Sequence, residues 1–183
     1  MGLLSTKKVS LAISEFALPC PRKGSIDLYS GFARGQMIGT LLHQKVQAQR
    51  KTEHSDYQSE VFISQSFKRE GFVFDVSGRI DGLFESEVPK IEEIKSTFNI
   101  YELHRTLREI QDDHPYCIQL KTYGYFYWLQ NKKIPQLSLH LVSSRDESTM
   151  DFEMSLNVDA FEFWLELRLQ ELVGEAKLAE NVT

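Results

Sequence analysis

Between Gly35 and Arg50 the apolar residues Met37, Ile38, Leu41, Leu42 and Val46 recur at helical spacing, which predicts a helix burying one stripe. The period then shortens to two. Tyr57 to Phe67 alternates Val61 and Ile63 with Ser and Gln, and an Arg69-Glu70-Gly71 turn leads into Phe72 to Phe84. Beyond a turn at Glu85-Ser86-Glu87, Pro89 opens a third extended run to about Thr97. These three segments predict an antiparallel meander. Asn99 to Asp113 is charged, with a weak helical period at Leu103, Leu107 and Ile110. Pro115 sits where a helix favours its first proline, ahead of the strongly apolar helix Tyr116 to Gln130. Leu137 to Ser143 and Met150 to Leu156 alternate as strands, and Asp159 to Val173 is an amphipathic helix carrying Phe161, Trp164, Leu165, Leu169 and Leu172. The order helix, three strands, helix, two strands, helix implies a mixed sheet with helices on its faces, an α/β architecture. With no internal repeat, low-complexity tract or linker-like stretch, residues 1–183 are expected to form one domain.

Composition narrows the class. At 42% hydrophobic and 26% charged residues the chain reads as soluble and globular. No apolar run approaches the ~18 residues of a membrane span and no signal peptide pattern opens the chain, so a cytoplasmic protein with no membrane partner is expected. Two cysteines, Cys20 and Cys117, form no disulfide framework and suit a reducing compartment. The net charge of -5 argues against a nucleic-acid partner until its distribution is seen. Residues 1 to 51 hold eight bases (Lys7, Lys8, Arg22, Lys23, Arg34, Lys45, Arg50, Lys51) against Glu15 and Asp27, leaving +6 there and -11 in the remainder. That asymmetry permits a basic groove on an acidic body, although solvated surface charge looks the same in sequence.

The candidate chemistry lies in the meander. Gly78-Arg79-Ile80-Asp81-Gly82 is followed by Ile91-Glu92-Glu93-Ile94-Lys95. Alternate strand residues share a face, so Glu93 and Lys95 project together, away from Glu92 and Ile94. Pairing of the second and third strands would set Asp81 beside Glu93. Two carboxylates and a main-chain carbonyl form the hard-oxygen site that Mg²⁺ or Mn²⁺ prefers, and a neighbouring lysine can orient water or neutralise a phosphate. A Glu-x-Lys triplet is also what an ordinary exposed ion pair looks like. His43 falls on the flank of the first helix's apolar stripe with Gly39 four residues before it, where the missing side chain would allow close approach of another element. Its imidazole could complete a metal shell or hydrogen-bond within the core. Gln119 and Tyr123 stand four apart on one face of an apolar helix, where the amide needs a partner. There is no nucleophile elbow, glycine-rich phosphate loop or zinc spacing. His54, His104, His114 and His140 read as surface or core histidines.

In order, the chain carries Gly39-x-x-x-His43, Gly78-Arg79-Ile80-Asp81, Glu93-Ile94-Lys95 and Gln119-x-x-x-Tyr123. This series resembles the RecB-like branch of the PD-(D/E)XK nucleases over about Val9 to Val173, with Val9-Ser10 through Glu15-Phe16 to Cys20-Pro21-Arg22 resembling that branch's first helix. Nuclease domains fused to DinG-type helicases look closest, followed by CRISPR-associated RecB-like exonucleases. The resemblance implies a PD-(D/E)XK restriction-endonuclease-like core, metal ligation by His43, Asp81, Glu93 and the carbonyl of Ile94, and Lys95 as base or water-orienting group. It implies Gln119 and Tyr123 on the DNA-facing side, Glu60 as a supporting contact, Mg²⁺ or Mn²⁺ as cofactor, and DNA ends, single-stranded or duplex, as substrate, with a helicase as fusion or partner. Iron–sulfur relatives carry four cysteines; two cannot hold such a cluster, so none is expected. The function so implied is that of a metal-dependent deoxyribonuclease, an exonuclease in repair, recombination or defence. The alternatives are a catalytically silent DNA-end-binding module of a helicase–nuclease assembly and a restriction-type endonuclease.

Overall fold

The computed structural model describes residues 6–18 and 32–182, the side chains of 32–36 excepted. The N-terminal methionine and glycine, Cys20, Arg22, Lys23 and the side chain of Arg34 therefore lie outside the described residues.

The meander forms as its alternation requires: β2 (Tyr57–Arg69), β3 (Phe72–Phe84) and β4 (Lys90–Thr97) pair antiparallel in succession. Glu70 and Gly71 take positive φ, 50° and 85°, which lets a two-residue turn match the strand twist. β4 then pairs parallel with β5 (Gln136–Ser143), and β5 antiparallel with β6 (Thr149–Met154). The segment expected to be a first helix differs. Lys7–Ala12 is a strand, β1, parallel to Phe72–Ser77 of β3, and only Ile13–Phe16 is helical (α1). Val9 and Leu11 alternate with Lys8 and Ser10, and the edge of β3 satisfies their backbone groups; a four-residue helix is what remains.

The remaining helices are α2 (Phe32–Glu53), α3 (Ile100–Ile110), α4 (Pro115–Asn131) and α5 (Val158–Asn181). Their starts are capped as the sequence allows. Asn99 and Asn157 accept from Glu102 and Ala160 N–H, and His114 Nδ1 accepts from Tyr116 N–H ahead of Pro115. α5 runs eight residues past the end of the apolar stripe predicted for it.

The sheet divides the apolar interior. Phe74, Val76, Ile80, Ile91, Leu139 and Leu141 join Leu120, Phe126, Leu165 and Leu169 in the main core beneath α4 and α5. On the opposite face α2 seals a small cluster of Leu42, Ile94 and Val142. Cys117 is fully buried, and burial pushes its thiol up to about 11, so it behaves as a small apolar residue.

The topology also makes an opening. β2 runs along one edge of β3 for nearly its whole length, so β1 and β4 must share the other edge. β1 pairs as far as Ser77 and β4 begins pairing at Gly82. Residues 78–81 face a gap between them.

Candidate active site

At Asp81 the ladders on both sides of β3 lapse. Ser59 pairs Gly82 and Val61 pairs Ile80, but Glu60 and Asp81 do not pair; across the gap Gly82 pairs Glu92, but Asp81 does not pair Glu93. Ile80 and Leu83 both enter the core, so the two-residue alternation slips at this point. The backbone groups freed by the break find carboxylates. Asp81 Oδ2 accepts from Ile94 N–H at 2.8 Å, and Glu93 Oε1 accepts from Asp81 N–H at 3.4 Å. The two side chains thus cross-link the diverging strands, and this brings their own carboxyl groups close together. Glu93 is almost fully buried; burial first, then the charge of Asp81, raises its pKa well above the ordinary carboxyl range. Lys95 Nζ lies 3.6 Å from Glu93 Oε2 and lowers it only in part.

Glycines flank the break because rings occupy their side-chain space. A Cβ on Gly78 would meet the Tyr123 hydroxyl at 3.0 Å, and one on Gly82 would lie 2.5 Å from the Tyr57 ring. Tyr57 in turn donates to the Asp81 carbonyl at 3.4 Å. Gly82→Ala is therefore expected to cost roughly 1–3 kcal/mol of overpacking strain. Equilibrium urea unfolding of the variant measures this, and wild-type stability would refute the close approach.

Glu93 and Lys95 share a face, as alternation requires, with Glu92 on the other side held by Arg50 at 3.2 Å. The Lys95 ammonium donates to Gln119 Oε1 at 3.1 Å and stands 4.5 Å from the centre of the Tyr116 ring. Burial raises the pKa of the Tyr123 phenol, and the charge of Glu93 adds to this. The amide thus finds its partner in the lysine, while Tyr123, 4% exposed, sits inside the core rather than at an open surface. His114 lies close enough for Lys95 to lower its pKa, second to burial.

α2 closes the third side. A Cβ on Gly39 would meet Ser96 Oγ at 2.9 Å, so the glycine admits β4 to the helix. His43 is half-buried; burial lowers its pKa, Lys95 adds to this, and Asp81 and Glu60 oppose it. Its imidazole is therefore neutral at pH 7 and available as a nitrogen donor. One turn on, Gln47 Nε2 donates to the Asp81 carbonyl and to Glu60 Oε1, both at 2.9 Å. Glu60 holds φ 54°, a left-handed conformation for a non-glycine residue, opposite the Asp81 break.

Sequence reasoning missed Gln47, Tyr116 and His114. Helical spacing would have found two of them: Gln47 is four residues after His43, and Tyr116 three before Gln119. Among the described residues, no three His, Cys, Asp or Glu side chains converge closely enough to hold a metal ion. What the structure brings together is a pair of neighbouring carboxyl groups, one of them held toward its protonated form by burial first and by the charge of the other second. The hard oxygens of the two carboxyl groups are of the kind that Mg²⁺ or Mn²⁺ prefers. The basic N-terminal third is less free than its count suggests. Lys7, Lys8, Lys45 and Arg50 face Glu180, Asp75, Glu147 and Glu92 respectively. No helix among the described residues is long and apolar enough to cross a membrane.

No protein-family model matches the sequence, and no curated protein matches it. Solved structures do. The fold is similar to that of SSO0001, with a TM-score of 0.58 at 15% identity, covering 88% of this chain and 75% of that one. It is also similar to the alkaline exonuclease LHK-Exo from Laribacter hongkongensis, with a TM-score of 0.54 at 16% identity, covering 94% of this chain and 92% of the exonuclease. At these identities the likeness is one of fold: a mixed six-stranded sheet flanked by helices, shared with an exonuclease.

Proposed function

We propose that the chain is a divalent-metal-dependent deoxyribonuclease, acting as an exonuclease on DNA ends, with its active site at the gap between β3 and β4. The observation that carries this reading is the meeting of Asp81 and Glu93 across the gap, each carboxyl accepting a backbone N–H of the other's strand, with the Lys95 ammonium 3.6 Å from Glu93. Its context supports the same reading, since the fold is one in which an exonuclease is built.

Asp81, Glu93, His43 and the Ile94 carbonyl are the groups proposed to hold Mg²⁺ or Mn²⁺. The bound ion would supply positive charge toward a phosphodiester and toward the attacking water. Lys95 is the group proposed to reach the reacting atoms. Its ammonium can donate to a phosphoryl oxygen or orient the water, which adds to phosphorus as one ester P–O bond breaks. Gln119 fixes the ammonium, and Tyr123, one turn on, packs against Gly78 beside the break. Glu60 and Gln47 hold the break at Asp81 in place from the far side.

End-labelled single- and double-stranded oligonucleotides, incubated with Mg²⁺, Mn²⁺ or EDTA, test the proposal. Cleavage that depends on either metal and shortens the label from an end is expected. Binding without cleavage in both metals would instead identify a silent end-binding module.

A further inference from the structure

Lysine carries three N–H donors on a flexible stem, and a single acceptor leaves it free to swing. Around Lys95 the structure supplies more than one restraint. Gln119 Oε1 takes one N–H at 3.1 Å, Glu93 Oε2 lies at 3.6 Å, and the face of Tyr116 lies 4.5 Å away. The ring is itself fixed. The Tyr116 N–H is capped by His114 Nδ1 at 3.0 Å, the imidazole packs edge-on to the phenol ring at 4.7 Å between centres, and Pro115 stiffens the turn between them. A helix start is among the more rigid places to mount a side chain, and this one points its first aromatic ring at the lysine beside the paired carboxylates.

From this arrangement we propose that Tyr116 is a positioning residue of the active site, its ring holding the Lys95 ammonium in line with the phosphoryl group. The inference rests on Lys95 being the reacting group of the proposed nuclease. The π-face attracts the cation without hydrogen-bonding it, so it restrains the ammonium without occupying a donor that the substrate needs. The phenol hydroxyl is not required for that attraction, which separates this role from acid–base chemistry by the tyrosine itself.

Two variants and one spectrum test it. Tyr116→Leu keeps an apolar side chain but removes the ring, and should lower kcat about five- to thirty-fold with KM within about twofold. Tyr116→Phe keeps the ring and should recover most of the lost turnover. Independently of activity, the Lys95 ε-methylene protons should be shifted upfield by the ring in the NMR spectra of wild type and Tyr116→Phe, and return to ordinary lysine positions in Tyr116→Leu. Unchanged kcat in Tyr116→Leu overturns the proposal, as does a Phe variant as impaired as the Leu variant, or a Lys95 shift that ignores the substitution. A wild-type protein inert in both metals would sink the nuclease reading, and the positioning role with it; the wild-type control distinguishes that failure from the others.

Discussion

If the proposed nuclease acts through Lys95, replacing it by Ala is expected to lower the turnover of phosphodiester hydrolysis by about 10²–10³ while oligonucleotide affinity stays within a few-fold of wild type. The size follows from where the ammonium lies. It is mostly buried, 19% exposed, so its charge acts in a poorly screened environment. It is pre-positioned by Gln119, which means that little reorganisation is needed when negative charge builds on the phosphoryl oxygens. A group that acts mainly on developing charge contributes to the transition state more than to the ground state, and its loss appears in kcat. Single-turnover cleavage of an end-labelled oligonucleotide, with anisotropy for binding, separates the two quantities. Near-normal turnover would reduce Lys95 to a partner for Glu93. A proportional loss of affinity would make it a binding cation only.

Much of this site was legible before the structure. Period-two alternation put Glu93 and Lys95 on one face, and the structure shows Glu92 turned to the other, against Arg50. Gly39 signalled a close approach, and β4 makes it at Ser96. Other features escaped because they depend on backbone breaks rather than side-chain pattern. Gln47 looks like any polar residue on a helix; its partner is a main-chain carbonyl exposed only because the β2–β3 ladder lapses at Asp81. The slip in alternation between Ile80 and Leu83 is hidden by Gly82, which has no side chain to assign to either face. Lys7–Ala12 differs for a related reason: its pairing with a strand more than sixty residues away is a long-range contact that a six-residue pattern of two apolar positions does not announce. His114 reads in sequence as a surface or core histidine, since a cap before Pro115 places the imidazole by backbone geometry.

Glu93→Gln should abolish metal-dependent cleavage, and in EDTA at neutral pH it should make the protein more stable, not less. In the folded chain burial and the neighbouring Asp81 charge raise the Glu93 pKa, while in the unfolded chain it returns to about the ordinary 4.5. Between those two values the folded protein retains a proton that the unfolded chain has released. Rising pH therefore favours unfolding, and the metal-free wild type should lose stability from about 4.5 upward until the folded pKa is passed. A glutamine resembles the protonated acid: its oxygen can still accept from Asp81 N–H, and its amide can donate to the Asp81 carboxylate, while Lys95 keeps Gln119. Each kcal/mol of relieved repulsion should raise Tm by about 2–4 °C in a chain of this size. A bound divalent cation relieves the same repulsion, so Mn²⁺ should stabilise wild type strongly at neutral pH and the variant weakly. Thermal melts of both proteins across pH 4 to 8, with and without Mn²⁺, read all of this at once. A metal-free wild type whose Tm climbs with pH over that window, or a variant that keeps the full Mn²⁺ shift, would remove Glu93 from the metal site and leave the paired carboxylates as a strand cross-link alone.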